Sequence, residues 1–104
     1  MLALYQNLKQ RILNIDSLVT EEYKKLYIAF KVTNNFVDIT PQKERLRLTL
    51  NMAYPDIVDP KNLAKDISGL GRWGGDVEVY ISTHEQLDDV MELIQQAFDT
   101  QSEL

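Results

Sequence analysis

The sequence predicts an α+β domain in which a four-stranded, mainly antiparallel sheet carries helices on one face. Two observations support this fold class. Several segments alternate between apolar and polar side chains, which is the pattern of a strand with one face buried. The first and last segments instead repeat apolar residues at the spacing of amphipathic helices. The order of elements is therefore expected to be α-β-β-β-α-β-α, with the helices covering the apolar face of the sheet.

Four strands are predicted from the alternation. They cover residues 24–32, 35–40, 45–52 and 76–81. In three of them every second residue is apolar and is expected to face the core, namely Leu26, Ile28, Phe30, Val32, Leu46, Leu48, Leu50, Met52, Val77, Val79 and Ile81. Asn34 and Asn35 tolerate the positive φ of a tight turn, so the first two strands are expected to form a hairpin.

Three helices complete the predicted fold. They cover residues 2–13, 60–67 and 83–99. The middle helix is short, and its start is predicted from Asp59, which can cap the N-terminus, and Pro60, which fits the first helical position. The last helix follows a capping-box pattern from Ser82 to Glu85. Residues 101–104 are expected to form a frayed tail.

Composition excludes most catalytic chemistry. The 104 residues contain no cysteine and one histidine, His84, which rules out thiolate metal sites, disulfides and cysteine nucleophiles. We therefore expect one domain over 1–104 that is not an enzyme and needs neither a cofactor nor a metal. No apolar stretch approaches the roughly 20 residues of a membrane span, so we expect a cytoplasmic protein without membrane contact.

Charge is distributed unevenly along the chain. The formal net charge is −5, which taken alone argues against a polyanionic partner. However, residues 24–47 contain six basic and two acidic side chains, whereas residues 76–104 contain eight acidic side chains and no Lys or Arg. Because the basic segment builds three of the four predicted strands, the sheet is expected to carry a basic surface even though the whole molecule is acidic.

The polar face of the predicted sheet is the candidate functional surface. It combines cations, which can hold phosphate or carboxylate groups, with aromatic rings, which can stack on flat ligands. A glycine-rich connection containing Arg72 and Trp73 adjoins it. The candidate ligand-binding residues are Lys25, Tyr27, Lys31, Phe36, Lys43, Arg45, Arg47, Arg72, Trp73 and Tyr80. The same composition is also typical of a solvated sheet face without a ligand.

Four segments resemble a known family. They are Lys25–Lys31, Asn35–Ile39, Arg45–Asn51 and Gly71–Gly74, within a similarity that spans roughly residues 3–98. They are similar to a bacterial domain of unknown function that is often labelled "predicted transport protein". The transport label conflicts with the lack of a membrane segment. In that family the domain commonly forms the C-terminal part of nuclease-related or restriction-related proteins, so the resemblance implies an accessory role beside such enzymes.

Two functions follow as hypotheses. The first is a non-catalytic recognition domain that binds nucleic acid or another anionic ligand through the basic and aromatic sheet face. The alternative is a protein-interaction or dimerisation module, accessory to a nuclease-type enzyme, in which the same face docks on a partner domain or on a second copy. In a homodimer, the acidic last helix of one chain could pair with the basic face of the other.

Overall fold

The computed structural model describes residues 2–70 and 74–103. These residues form two α-helices and six strands. In chain order they are α1 (Leu2–Leu13), β1 (Thr20–Tyr23), β2 (Ile28–Lys31), β3 (Asn35–Pro41), β4 (Leu46–Leu50), β5 (Lys65–Asp66), β6 (Val77–Ile81) and α2 (Leu87–Ser102). Short 3-10 turns lie at Tyr54–Asp56, Ser68–Leu70 and His84–Gln86. None of the helices described is long and apolar enough to cross a membrane.

The sheet is antiparallel throughout, in the order β1-β2-β3-β4-β6-β5. The α+β class is therefore confirmed, but the prediction of four strands is wrong because β1 and β5 extend the sheet at both edges. Edge strand β1 contains Glu21 and Glu22, and β5 is only two residues long. Neither strand has the apolar alternation by which strands are recognised in a sequence.

One face of the sheet forms the core with both helices. On β4, Leu46, Leu48 and Leu50 are almost completely buried, and their register partners on β6 are Ile81, Val79 and Val77. The apolar stripes of α1 and α2 pack on this layer in a single cluster. Because strand side chains alternate, the residues between these positions face away from the helices. We call that second surface the outer face.

A polar tie holds α1 against edge strand β1. The Glu21 carboxylate accepts hydrogen bonds from the hydroxyls of Tyr5 and Tyr23, both at 3.1 Å. The Lys9 Nζ lies 3.1 Å from the same carboxylate. Burial, followed by the hydrogen bond with Tyr23, raises the pKa of Tyr5 far above its usual value, so this phenol stays a donor. The cluster explains how a strand with so few apolar residues keeps its place.

The predicted helix over residues 60–67 is absent. Asp59 does cap backbone N–H groups, because its carboxylate accepts from Leu63 at 2.9 Å and Ala64 at 2.8 Å. The chain between them is a loop, however, since Asn62 has a left-handed φ of 55° that a right-handed helix cannot contain. The capping signal was therefore real, and the element that it closes is a loop leading into β5.

The start and end of the last helix also differ from the prediction. The side chain that caps its start is Gln86, one residue beyond the predicted Glu85. The side-chain oxygen of Gln86 accepts hydrogen bonds from the N–H groups of Ser82 and Thr83. At the other end, helix α2 continues to Ser102. Gln101 is buried and donates to the backbone carbonyl of Asn51 at 2.7 Å. A side chain that bridges to the sheet thus replaces the expected frayed tail.

The first predicted strand, over residues 24–32, is two structures. Its second half is β2, whereas its first half is a turn closed by a 2.9 Å bond from the Lys24 N–H to the Tyr27 carbonyl. Leu26, which was expected in the core, lies in this turn and is 75% exposed. The residues of the turn happen to alternate between polar and apolar types as a strand does. The alternation therefore predicted a longer strand than the structure contains.

Candidate functional site

The register of the six strands places one row of side chains across the outer face. From edge to edge the row is Glu22, Ala29, Asp38, Thr49, Glu78 and Lys65. The middle of the row is not a solvated surface, because Asp38 is 8% exposed and Glu78 is 2% exposed. Charged side chains are rarely buried to this extent without a specific reason. The outer face therefore contains a covered centre and more open flanks.

Asp38 is covered by the glycine-rich connection that precedes β6. Gly74, at φ 96°, packs so closely that a Cβ atom there would collide with the Asp38 carboxyl group. The Asn35 side chain donates to Asp38 Oδ1 at 3.2 Å. Burial raises the pKa of Asp38 to about 6, and the Asn35 hydrogen bond opposes only part of that effect. At neutral pH the centre of the face thus holds a carboxylate that is poorly solvated.

Glu78 lies two strands from Asp38, with Thr49 between them. Its hydrogen bond with the Tyr80 hydroxyl is the main reason that the pKa of Tyr80 is raised. Neighbouring strands are about 4.8 Å apart, so the two acidic residues are separated by roughly 10 Å along the sheet. Within 2–70 and 74–103, no three His, Asp or Glu side chains come together as a metal-binding group.

Two basic residues on the β1 and β2 flank form ion pairs with a neighbouring acid. Glu22 forms ion pairs with both Lys24 and Lys31, the second at 3.6 Å. These contacts lower the pKa of Glu22 and keep it charged. Lys31, one of the predicted ligand-binding residues, is therefore engaged within the domain, although one carboxylate offsets only one of the two lysine charges.

The opposite flank contains a stacked arginine. The guanidinium carbon of Arg45 lies 3.7 Å from the centre of the Tyr80 ring. The Arg45 Nε donates to Gln42 Oε1 at 2.8 Å. Together these contacts restrict the planar guanidinium without the help of a carboxylate from the described residues, which leaves its terminal nitrogens able to donate to a ligand.

Arg47 lies beside this stack. It stands opposite Tyr80 on β6 and opposite Thr40 on β3. Its Nε is buried and has no hydrogen-bond partner. In the part of the chain that the structure describes, neither Arg45 nor Arg47 forms an ion pair. We call Arg45, Arg47 and Tyr80 the Arg-Tyr cluster.

The remaining candidate residues are dispersed. Phe36 was expected on the outer face but is fully buried, with its ring 5.3 Å from that of Phe98 in an edge-to-face contact. A register irregularity between Phe30 and Lys31 shifts the pairing with β3 and turns Phe36 toward the helices. Lys25 and Lys43 are exposed in turns, and Tyr27 is half-buried beside β2. Arg72 and Trp73 lie outside the described residues.

Alternation along the strands does not predict the buried acids. Asp38, Thr49 and Glu78 lie at polar positions of alternating strands, which predicts exposure, but all three are buried, and Gly74 packs closely against Asp38 and Thr49. Gln42 was also missed as the partner that orders Arg45. The signal available in the sequence was that all four glycines lie within residues 69–75, which indicates a backbone packed closely against another surface.

Concavities on the surface of the described residues include one between the helices and one at a turn. A groove of about 860 Å³ between α1 and α2 includes the Arg11 and Asp88 ion pair at 2.8 Å and the carboxylate of Glu92. Its acidic lining does not suit an anion. The turn between β3 and β4 forms the second concavity, of about 500 Å³, which is lined by Gln42, Lys43, Glu44 and Arg45. It adjoins the Arg-Tyr cluster through Arg45.

Comparison with known proteins places the chain in a family. The model of a domain of unknown function, DUF5655, matches residues 1–101. An uncharacterised protein of Haemophilus influenzae is 45% identical over 95 residues, which cover 90% of this chain and 32% of that relative. The chain thus spans about a third of the length of this relative. No solved structure matches the chain. With nearly its whole length matched by the family model, the chain belongs to the DUF5655 family of domains.

Proposed function

We propose that this domain is a non-catalytic recognition module that binds an anionic ligand, foremost nucleic acid, at the Arg-Tyr cluster of its outer face. The observation that carries the proposal is the pair of guanidinium groups that have no carboxylate partner among residues 2–70 and 74–103. Arginine side chains on a strand usually find an acid or bulk water. Here one is stacked on a ring and the other has a buried, unpartnered donor.

The stacking contact favours binding because it orders the cation in advance. A free arginine side chain loses roughly 2 kcal/mol of rotamer freedom when a ligand fixes it. The contacts of Arg45 with Tyr80 and Gln42 already restrict it, so less of that entropy remains to be lost. Guanidinium groups also bind phosphate oxygens with two parallel hydrogen bonds, which is stronger than a neutral contact.

The overall negative charge is compatible with this ligand. Four of the eight acidic side chains of the last segment belong to α2, which packs on the opposite side of the sheet. Charges that are more than about 10 Å apart are largely screened at 0.1 M salt. An anion approaching the Arg-Tyr cluster meets two guanidinium groups, although the net charge of the chain is −5 and the buried Glu78 carboxylate is hydrogen-bonded to Tyr80.

The test is a titration of short, labelled single-stranded and double-stranded DNA and RNA at low salt. R45A/R47A is expected to lose about tenfold or more in affinity. The matched control is K24A/K31A, which also removes two positive charges from the same face, but these are paired with Glu22. The control should bind within a few-fold of the unmodified domain. Absence of binding by every oligonucleotide, or equal binding by R45A/R47A, contradicts the proposal.

A second function, docking on a partner protein domain or on a second copy, is favoured by one observation. Edge strand β1 is flanked by exposed apolar side chains, of which Leu18 is 70%, Tyr23 is 64% and Leu26 is 75% exposed. Exposed apolar residues beside an unpaired strand edge are typical of interaction surfaces. Light scattering over a salt series tests this alternative. A dimer that the substitution Leu26→Ser dissociates would support it, and a monomer at all concentrations would exclude self-association.

A further inference from the structure

We infer that the Arg-Tyr cluster is a site for a terminal phosphate monoester on a sugar that also carries a flat base, as found at a phosphorylated oligonucleotide end or in a nucleoside monophosphate. This inference rests on the proposed function and narrows its ligand class. It distinguishes a single phosphate from the extended, regularly charged backbone of a long nucleic acid.

The small number of unpaired cations on the described outer face favours a single phosphate over an extended backbone. Lys24 and Lys31 are bound to Glu22, and Lys65 is on the edge strand opposite the buried Glu78. Proteins that track a nucleic-acid backbone place a cation at each of several successive phosphates. Among the described residues of the outer face, Arg45 and Arg47 form no ion pair and are two positions apart in the chain. Two adjacent guanidinium groups match one phosphate.

The strand geometry lets both arginines reach the same group. Arg45 and Arg47 are two residues apart, so they project from the same side with α-carbons roughly 7 Å apart. Arginine side chains are long enough to converge across that separation. Thr40 stands beside Arg47 on β3 and adds a hydroxyl on the same side. A phosphate between them would receive charge-assisted hydrogen bonds from both guanidinium groups and a neutral one from Thr40.

The unpartnered Arg47 Nε favours a strong acceptor. A buried donor without a partner is costly, so a rotation of the Arg47 side chain that brings its Nε to a ligand oxygen recovers that free energy. A phosphate monoester carries a charge of about −1.5 to −2 at neutral pH, whereas a backbone diester carries a single charge. The monoester therefore gains more from the two guanidinium groups than an internal phosphate does.

The concavity beside Arg45 offers a place for the flat base of the ligand. Tyr80 covers one face of the Arg45 guanidinium, so the other face is a platform on which a nucleobase can stack. The concavity of about 500 Å³ beside it is within the range of small-ligand sites. Glu44 in its lining repels a phosphate but can accept a hydrogen bond from a base amino group. Because Glu44 lies in the turn, the phosphate is expected to bind at Arg47 and the base to point toward the turn.

The inference is tested with matched ligands and calorimetry or fluorescence anisotropy. The ligands are one short single-stranded oligonucleotide with a 5′-phosphate, a 3′-phosphate or neither, a nucleoside monophosphate with its nucleoside, and inorganic phosphate. We expect a terminal phosphate to tighten oligonucleotide binding about tenfold or more. The nucleoside monophosphate should bind more tightly than either its nucleoside or inorganic phosphate, and the 5′ and 3′ arms identify the end that fits.

The variants separate this inference from the proposed function. In Arg47→Ala the preference for the phosphorylated end should disappear, whereas Lys31→Ala should keep it, provided that circular dichroism shows both to be folded. Arg47→Lys should be intermediate, because it keeps the charge but loses the planar fork. If R45A/R47A weakens binding of all oligonucleotides equally and the terminal phosphate adds nothing, the inference is overturned and the proposed function stands. If no ligand binds, both are overturned.

Discussion

The carboxyl group of Asp38 should make the free energy of unfolding change with pH. Its pKa is raised by burial to about 6, from an ordinary value of 3.8. The folded state therefore favours the protonated form, and stability falls as the pH rises from about 4 to 6 and the group becomes charged. The substitution Asp38→Asn removes the buried charge and keeps the shape of the side chain.

We expect Asp38→Asn to be more stable than the unmodified domain by about 2 kcal/mol at neutral pH, with the difference vanishing near pH 4. Urea unfolding over this pH range measures the effect. Asp66→Asn is the control, because its carboxylate accepts from the Ser68 N–H and has a lowered pKa, so the change should not stabilise. A neutral-pH destabilisation by Asp38→Asn would show that the carboxylate is better solvated than its burial implies.

The close packing of Gly75 gives a second prediction at the scale of the residue. Gly75 has a φ of 138°, and a Cβ atom there would collide with the backbone of Leu50 and Asn51 at the end of β4. Gly75→Ala is expected to lower the free energy of unfolding by at least about 2 kcal/mol. Gly69→Ala is the matched control in the same connection, since nothing lies within 4 Å of its added atom.

Thermal unfolding of the two variants, followed by circular dichroism, checks this prediction. Gly69→Ala should remain within about 0.5 kcal/mol of the unmodified domain. Equal stability of both variants would mean that the connection does not rest on β4, and the burial of Asp38 beneath Gly74 would then need another cause.

At the scale of the elements, the sequence predicts best where burial is one-sided and regular. Strands β4 and β6 alternate without exception, and α1 keeps its apolar spacing from end to end, so their positions could be read directly. Edge strands β1 and β5 could not, because backbone pairing and polar ties hold them. The same reason applies to Phe36, whose direction depends on a register irregularity with β2 rather than on its own neighbours in the chain.

The candidate site was predicted in part for a related reason. Alternation on β4 and β6 brings Arg45, Arg47 and Tyr80 to one face, and the structure places them together. Which cations are free could not be predicted, because it depends on Glu22 from a strand that the alternation missed. The burial of Asp38 likewise depends on a connection that returns over the sheet, which no local pattern encodes.

The loop that replaces the predicted middle helix gives a prediction at this scale. Asp59 accepts hydrogen bonds from two backbone N–H groups, and this should fix the loop in place of helical hydrogen bonds. Asp59→Ala is expected to lower the free energy of unfolding by about 1 kcal/mol, as the loss of a cap does. The exposed Asp56→Ala is the control. Comparable urea midpoints for the two variants would contradict a capping role.

At the scale of the whole molecule, the charges are divided between the two sides of the sheet. The acidic helix α2 packs on the core side, whereas the Arg-Tyr cluster is on the outer face. If only the two unpaired arginines contact phosphates, the logarithm of the affinity for single-stranded DNA should fall with the logarithm of the salt concentration with a slope of about −1.4. A slope steeper than about −3 would indicate that the lysines of the other flank also bind.

The most direct test of the claim that the Arg-Tyr cluster binds an anion is an NMR titration of the isotope-labelled domain. The ligand is a nucleoside monophosphate, and the backbone amides report which surface it contacts. The predicted result is a set of chemical-shift changes centred on Thr40, Gln42, Arg45, Arg47 and Tyr80, and absent from R45A/R47A. Shift changes confined to β1 or to the groove between α1 and α2, or no changes at saturating ligand, would contradict it.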